Sequence, residues 1–128
     1  MRRFSLIAGS GFGLVGVILG AFGAHALKET LLARGMAGVW ETAVHFQLFH
    51  ATALVAVAAL GGSVPAAVSA RLRWAARLWT IGLVLFSGSL YLLAVGGPRW
   101  LGPITPFGGL SLIVGWSFAL AAGLALKE

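Results

Sequence analysis

Long apolar stretches alternate with short polar ones along this chain. Apolar residues dominate four segments, at about 4–26, 39–60, 74–95 and 105–126. Each is close to the ~20 residues an α-helix needs to cross a hydrocarbon layer about 30 Å thick. Inside lipid the backbone must satisfy its own hydrogen bonds, and a single apolar run does so as a helix. The pattern predicts an all-α integral membrane four-helix bundle, one transmembrane domain over 1–128. The connections carry the breakers such a reading needs. HALKETLLARGMAG holds Lys28, Glu29 and Arg34 before Gly35 and Gly38, with room for a turn or two of interfacial helix. GGSVPAAVSARLR holds Gly61, Gly62 and Pro65 and then Arg71 and Arg73, and GGPRWLGPITP is broken by its prolines. Thr105 followed by Pro106 reads as an N-cap and a first helical residue.

Composition strengthens this picture. The 128 residues are 59% hydrophobic and 9% charged, against about 25% charged in soluble domains, which excludes a water-soluble fold. No cysteine is present, so disulfides, iron–sulfur clusters and thiolate zinc sites are excluded. The formal charge of +6 sits between the spans and forms no nucleic-acid-binding pattern; the lipid bilayer is the expected surroundings. Arg2, Arg3, Arg71, Arg73, Arg77 and Lys127 fall on one side, and Lys28, Arg34 and Arg99 on the other. That asymmetry predicts N and C termini inside. Trp40, Trp74, Trp79 and Trp100 lie near expected span ends, as interfacial belts do. The opening MRRFSLIAGSGFG resembles a secretory leader, but its apolar run from Phe4 to Ala24 exceeds the roughly 7–15 residues of a leader's core, so a retained span is expected.

Candidate chemistry is confined to few positions. In the first span Gly9, Gly13, Gly16, Gly20 and Gly23 form one stripe, the small-residue surface that lets helices approach in lipid; a central first helix is expected from it. In the second span WETAVHFQLFHAT places Glu41, His45, Leu48 and Thr52 on one stripe and Gln47 and His50 on nearly the opposite side. A helix polar on both sides turns neither fully to lipid, so it is enclosed or uses its second face against another subunit. Depth counting gathers His25, Glu41, His45, Gln47, His50, Ser87, Ser89, Tyr91, Thr105 and Ser111 into the outer half of the bilayer. The favoured reading is an interhelical hydrogen-bond network, with Glu41 paired to Lys28 or His25, and Gln47 and His50 bonded to Ser87, Ser89 or Tyr91. Metal binding by Glu41, His45 and His25 is the weaker alternative, since HExxH is absent and His45 and His50 have the wrong spacing for joint ligation. A proton relay lacks ionisable groups further in before Arg77. Aspartate is absent, FSGSLY is no nucleophile elbow, and GSGFGLVG follows no strand; no catalytic residue, metal or cofactor is expected.

Taken together, GAFGAHALK, WETAVHFQLFHATAL, LFSGSLYLL and LGPITPFGGLSLIVGW closely resemble the small four-span membrane proteins grouped as the domain of unknown function 423 family. The likeness covers nearly the whole chain and implies a multi-pass protein of the inner (plasma) membrane in bacteria, with no established reaction, substrate or cofactor. It also implies signature positions at His25, Glu41, Gln47, His50, Ser87, Ser89, Tyr91, Thr105 and Pro106, with Phe46 standing where the family often has tyrosine. The expected role is a non-catalytic interaction or accessory subunit that self-associates or binds another membrane protein. The alternatives are binding or passage of a proton, ion or small amphiphile, and a small membrane enzyme acting on lipid.

Overall fold

A computed structural model describes residues 1–126. Its helices are α1 (Arg2–Ala24), α2 (Lys28–Ala33), α3 (Ala37–Leu60), α4 (Ala66–Ala94) and α5 (Ile104–Leu124), with a 3-10 turn at Arg99–Leu101 before α5. Four helical segments are long and apolar enough to cross a membrane, and the described residues contain no strand. The all-α four-span architecture is thus present. α1 packs on α3, α3 on α4, and α4 on α5. The start of α1 meets the start of α4, where Ser69 Oγ lies 4.0 Å from Met1 Sδ. Arg71 Nη1, two residues on, donates to Ala121 O in the last turn of α5 at 2.9 Å. Both chain ends therefore share one end of the bundle, and α2 and the 3-10 turn close the other. Lys127, counted among the inner-side cations, lies outside the described residues.

Two helices stop by the same device. After α2, Gly35 adopts φ 64°, and after α4, Gly96 adopts φ 99°, conformations that cost glycine little. Met36 N–H then bonds to Leu31 O at 2.9 Å, and Gly97 N–H to Leu92 O at 2.7 Å. These are Schellman closures, which satisfy carbonyls that a helix end leaves free. Leu31 and Met36 pack in one apolar cluster with Trp40 and Val44, so the closure of α2 also docks it on α3.

Several expectations change. α3, rather than α1, occupies the middle. The glycine stripe gives α1 one packing face only, and its opposite face exposes Ile7, Leu14 and Ile18. α4 begins at Ala66, not near residue 74, because Pro65 with φ −56° and ψ 152° starts a helix at once in a run of good helix formers. Arg71 and Arg73 are therefore helical residues and not part of a loop. At ~1.5 Å per residue the first two turns of α4 extend past the hydrocarbon thickness, which lets arginine sit there. α1 ends at Ala24 with His25 as its C-cap, and α3 starts slightly early, at Ala37. The N-cap of α5 is Pro103, with no side-chain cap bond; Thr105 lies inside the helix, its hydroxyl held by Ser89. Of the tryptophans assigned to belts, Trp74 and Trp100 are exposed, whereas Trp40 and Trp79 are buried at 5% and 2%. Trp79 is out of place in a belt because the early start of α4 moves it to mid-helix.

Close approach in this bundle is made by glycine at two interfaces. On α1, a methyl group at Gly9 would come 2.9 Å from Ala51 O, and one at Gly16 2.8 Å from Leu48 Cδ2; one at Gly20 would lie 3.3 Å from Val44 Cγ1, whereas Gly13 has nothing nearer than 3.9 Å. At Gly23 it would strike the Trp40 indole. Between α4 and α5, a methyl group at Gly82 would stand 3.0 Å from Gly108 O, one at Gly115 2.6 Å from Trp79 Cδ1, and one at Gly108 would strike the Phe86 backbone. This second glycine contact was not legible as a stripe, since its partners are divided between two helices.

Candidate functional site

α3 is divided as its helical wheel divides it: Ala43, Gln47, His50 and Leu54 are buried, while Glu41, His45 and Thr52 are exposed. The buried side is built into its neighbours. Gln47 Nε2 donates to Phe12 O on α1 at 2.9 Å, and Gln47 Oε1 accepts from Tyr91 Oη on α4 at 2.7 Å. One amide thus joins three helices, spending a donor on one side and its acceptor on the other. Ser87 Oγ donates back to Ala43 O at 2.8 Å, a second link from α4 to α3. Tyr91 is held further by the Trp40 ring, edge-on at 4.7 Å, and Trp40 Nε1 donates to Leu19 O at 2.9 Å.

Thr105, Ser111 and Ser89 serve the α4–α5 contact. The hydroxyls of Ser89 and Thr105 are 2.6 Å apart, and Ser89 Oγ also donates to Phe86 O at 2.9 Å. Since one hydroxyl has one proton, Thr105 is the donor of that pair. Ser111 Oγ donates to Leu78 O at 2.8 Å.

His50 departs from expectation: it reaches none of Ser87, Ser89 and Tyr91. Its Nδ1 lies 2.6 Å from Phe46 O, and its Nε2 accepts from Trp116 Nε1 on α5 at 3.0 Å. A carbonyl only accepts and an indole N–H only donates, so Nδ1 carries the proton and Nε2 is bare. Trp79 completes the cluster, its ring centroid 4.6 Å from that of Trp116 and 6.2 Å from the His50 ring. Trp116 is the residue that sequence reasoning missed. Its position near the middle of the last span, away from either interface, was the available signal. Trp79 Nε1 and Ser5 Oγ are buried without a hydrogen-bond partner.

The remaining candidates do not join this network. His25, Glu41 and His45 are exposed, and the described residues form no ion pair and no cluster of three metal-binding side chains. The expected pairing of Glu41 with Lys28 or His25 is not made. α2 buries Leu31 while Lys28 and Glu29 are exposed, and His25 sits where the chain leaves α1. Glu41 and His45 instead line a cleft of about 460 Å³ between α1, α2 and α3, walled by Gly20, Gly23, Leu31 and Trp40. A separate groove of about 530 Å³ runs between α1 and α4, with Gln47, Ser87 and Tyr91 at its floor.

The fold and these contacts define a four-span α-helical membrane protein whose central helix is tied to its neighbours by buried polar side chains. The family model described as "Protein of unknown function (DUF423)" matches residues 19–109, a segment containing Gln47, His50, Ser87 and Tyr91 but not Ser111 or Trp116. The chain is 42% identical over 116 residues to a UPF0382 membrane protein of Staphylococcus haemolyticus, covering 91% of this chain and 90% of that one. It is 38% identical over 126 residues to the UPF0382 inner membrane protein YgdD of Escherichia coli strain K12, covering 98% and 93%. No solved structure matches. The chain belongs to the family of unknown function 423, and is a multi-pass protein of the inner (plasma) membrane.

Proposed function

We propose that this protein is a non-catalytic interaction or accessory subunit, acting inside the bilayer by associating with further copies of itself or with another membrane protein. The observation that carries the reading is the way its interior polar groups are used. Gln47, Ser87, Ser89, Tyr91, Thr105 and Ser111 each hold one helix against another, and both ring nitrogens of His50 have fixed partners. Side chains engaged in this way give the bundle its shape and are poorly placed to bind or transform a substrate. The connections support the same reading. Those at 25–27, 34–36 and 61–65 are short and offer little surface outside the membrane, so a partner meets the helices themselves. In this proposal the end bearing both termini faces inward, as the arginine distribution favours.

The test is extraction in a mild detergent followed by native mass spectrometry. The expected result is a species with two or more copies, or one copy joined to a second membrane protein at fixed stoichiometry. Monomers alone, at every detergent concentration that preserves the fold, would contradict the proposal.

A further inference from the structure

We infer that the cleft between α1, α2 and α3 binds the primary ammonium group of an amphiphile, with Glu41 and His45 as its polar contacts and the small-residue wall of α1 beside its tail. Glu41 and His45 are one helical turn apart on α3 and line the same cleft, which places their Cβ atoms roughly 5–6 Å apart. Neither makes a side-chain hydrogen bond among the described residues, although every polar group on the opposite side of α3 is paired. A polar group left unpaired within the hydrocarbon depth is costly unless something meets it, and His45 lies one turn deeper than Glu41.

Depth narrows what that is. Glu41 lies four residues into α3, which begins at Ala37, or ~6 Å along the axis, and His45 lies ~12 Å along. The α3 segment is ~36 Å long, so Glu41 stands at the boundary between headgroups and chains, where the ends of amphiphiles sit. The wall beside it suits an apolar body: Gly20, Gly23 and Ala24 line it on α1, and Leu31 and Trp40 provide apolar surface. The volume, about 460 Å³, is within the ~300–1,000 Å³ usual for small-molecule sites.

Charge selects the headgroup. A carboxylate accepts hydrogen bonds and donates none, and imidazole offers one bare nitrogen. An ammonium, with three donors and no acceptor, complements both. A phosphate or carboxylate head would face Glu41 with like charge, and two side chains are too few to hold a metal ion against water. The ammonium could belong to a membrane phospholipid or to a free long-chain amine, and the experiment separates the two.

Purified, delipidated protein is titrated in detergent with dioleoylphosphatidylethanolamine, dioleoylphosphatidylglycerol, dodecylamine and dodecanol, and bound molecules are counted by native mass spectrometry. The wild type is expected to retain phosphatidylethanolamine and dodecylamine in preference to the other two. Glu41→Gln, which removes the charge on an exposed side chain, should lower that retention by at least about tenfold. Ala24→Leu, which fills the cleft from α1, should do the same, and Leu60→Ala, an exposed residue at the opposite end of α3, should not. Glu41-dependent retention of dodecylamine without phosphatidylethanolamine would assign the site to a free amine and leave the inference standing. Equal retention of amine and non-amine probes, or undiminished retention by both Glu41→Gln and Ala24→Leu, would overturn it. Circular dichroism of each variant checks the fold, and the copy number in the same spectra reports separately on self-association.

Discussion

Replacing Tyr91 by Phe removes one hydroxyl and leaves its ring against Trp40, so it isolates the 2.7 Å bond to Gln47 Oε1. In membrane bundles an interhelical hydrogen bond contributes on average about 0.6 kcal/mol and at most about 1.7 kcal/mol. Gln47 is buried, at 3% exposure, so its carbonyl oxygen cannot turn to water once the donor is gone, which places the expected loss for Tyr91→Phe in the upper part of that range. Gln47→Leu keeps the side-chain volume and removes both bonds, one to α4 and one to Phe12 O on α1; about 1–3 kcal/mol should be lost. The double variant should cost less than the sum, because the orphaned hydroxyl of one single variant and the orphaned carbonyl of the other are both absent. The coupling should be about 0.6–1.7 kcal/mol. Reversible unfolding in mixed micelles of dodecylmaltoside and sodium dodecyl sulfate, followed by far-ultraviolet circular dichroism, measures all four proteins. A coupling below about 0.3 kcal/mol, the scatter expected of independent sites, would refute the claim that this amide ties α3 to α4.

Three further outcomes are expected from the same unfolding assay. Gly9→Ala should destabilise by about 1–3 kcal/mol, since its methyl group meets the Ala51 carbonyl at 2.9 Å, whereas Gly13→Ala, with 3.9 Å of clearance, should be neutral or slightly stabilising; equal effects would dissociate the stripe from packing. Trp116→Phe leaves His50 Nε2 without its donor and should cost about 0.6–1.7 kcal/mol; a loss that persists undiminished when His50 is already Phe would place its cause outside this bond. Arg34→Met removes the 3.0 Å bond from Arg34 Nε to Ala94 O at the carbonyl end of α4, where a cation is favoured by about 0.3–1 kcal/mol. The destabilisation should shrink toward zero in high salt, and an effect independent of salt would indicate lost packing instead.

The four spans were legible because membrane insertion leaves so few patterns open. Their edges were less so, for reasons specific to each residue. Arg71 and Arg73 looked like a loop, although arginine is tolerated on a helix that extends past the hydrocarbon layer and can cap the carbonyls of α5. Thr105 had the composition of an N-cap, but a hydroxyl within reach of Ser89 is used for that contact. Within the site, helical periodicity put Gln47 and His50 on one side of α3 and Glu41 and His45 on the other, as the structure does, and depth counting indicated Tyr91 as a partner. It could not say which side of α3 meets the other helices, because that depends on where α1, α4 and α5 dock. Hence Glu41 was given an internal partner it lacks, and His50 was matched to hydroxyls when its partner is an indole. The glycine stripe of α1 showed that a helix packs there, but a one-sided stripe does not make its owner central.

The central claim is that α3 stands between α1 and α4 and is fixed to both. The chain has no cysteine, so a single introduced pair reports without background. A methyl group at Gly13 would lie 3.9 Å from Ala51 Cβ, close to the ~3.8 Å between Cβ atoms of a disulfide. Gly13→Cys combined with Ala51→Cys, oxidised in native membranes, is expected to give an intramolecular cross-link in near-complete yield. Absence of that cross-link, together with an efficient one between Gly13→Cys and Val114→Cys on α5, would contradict the arrangement.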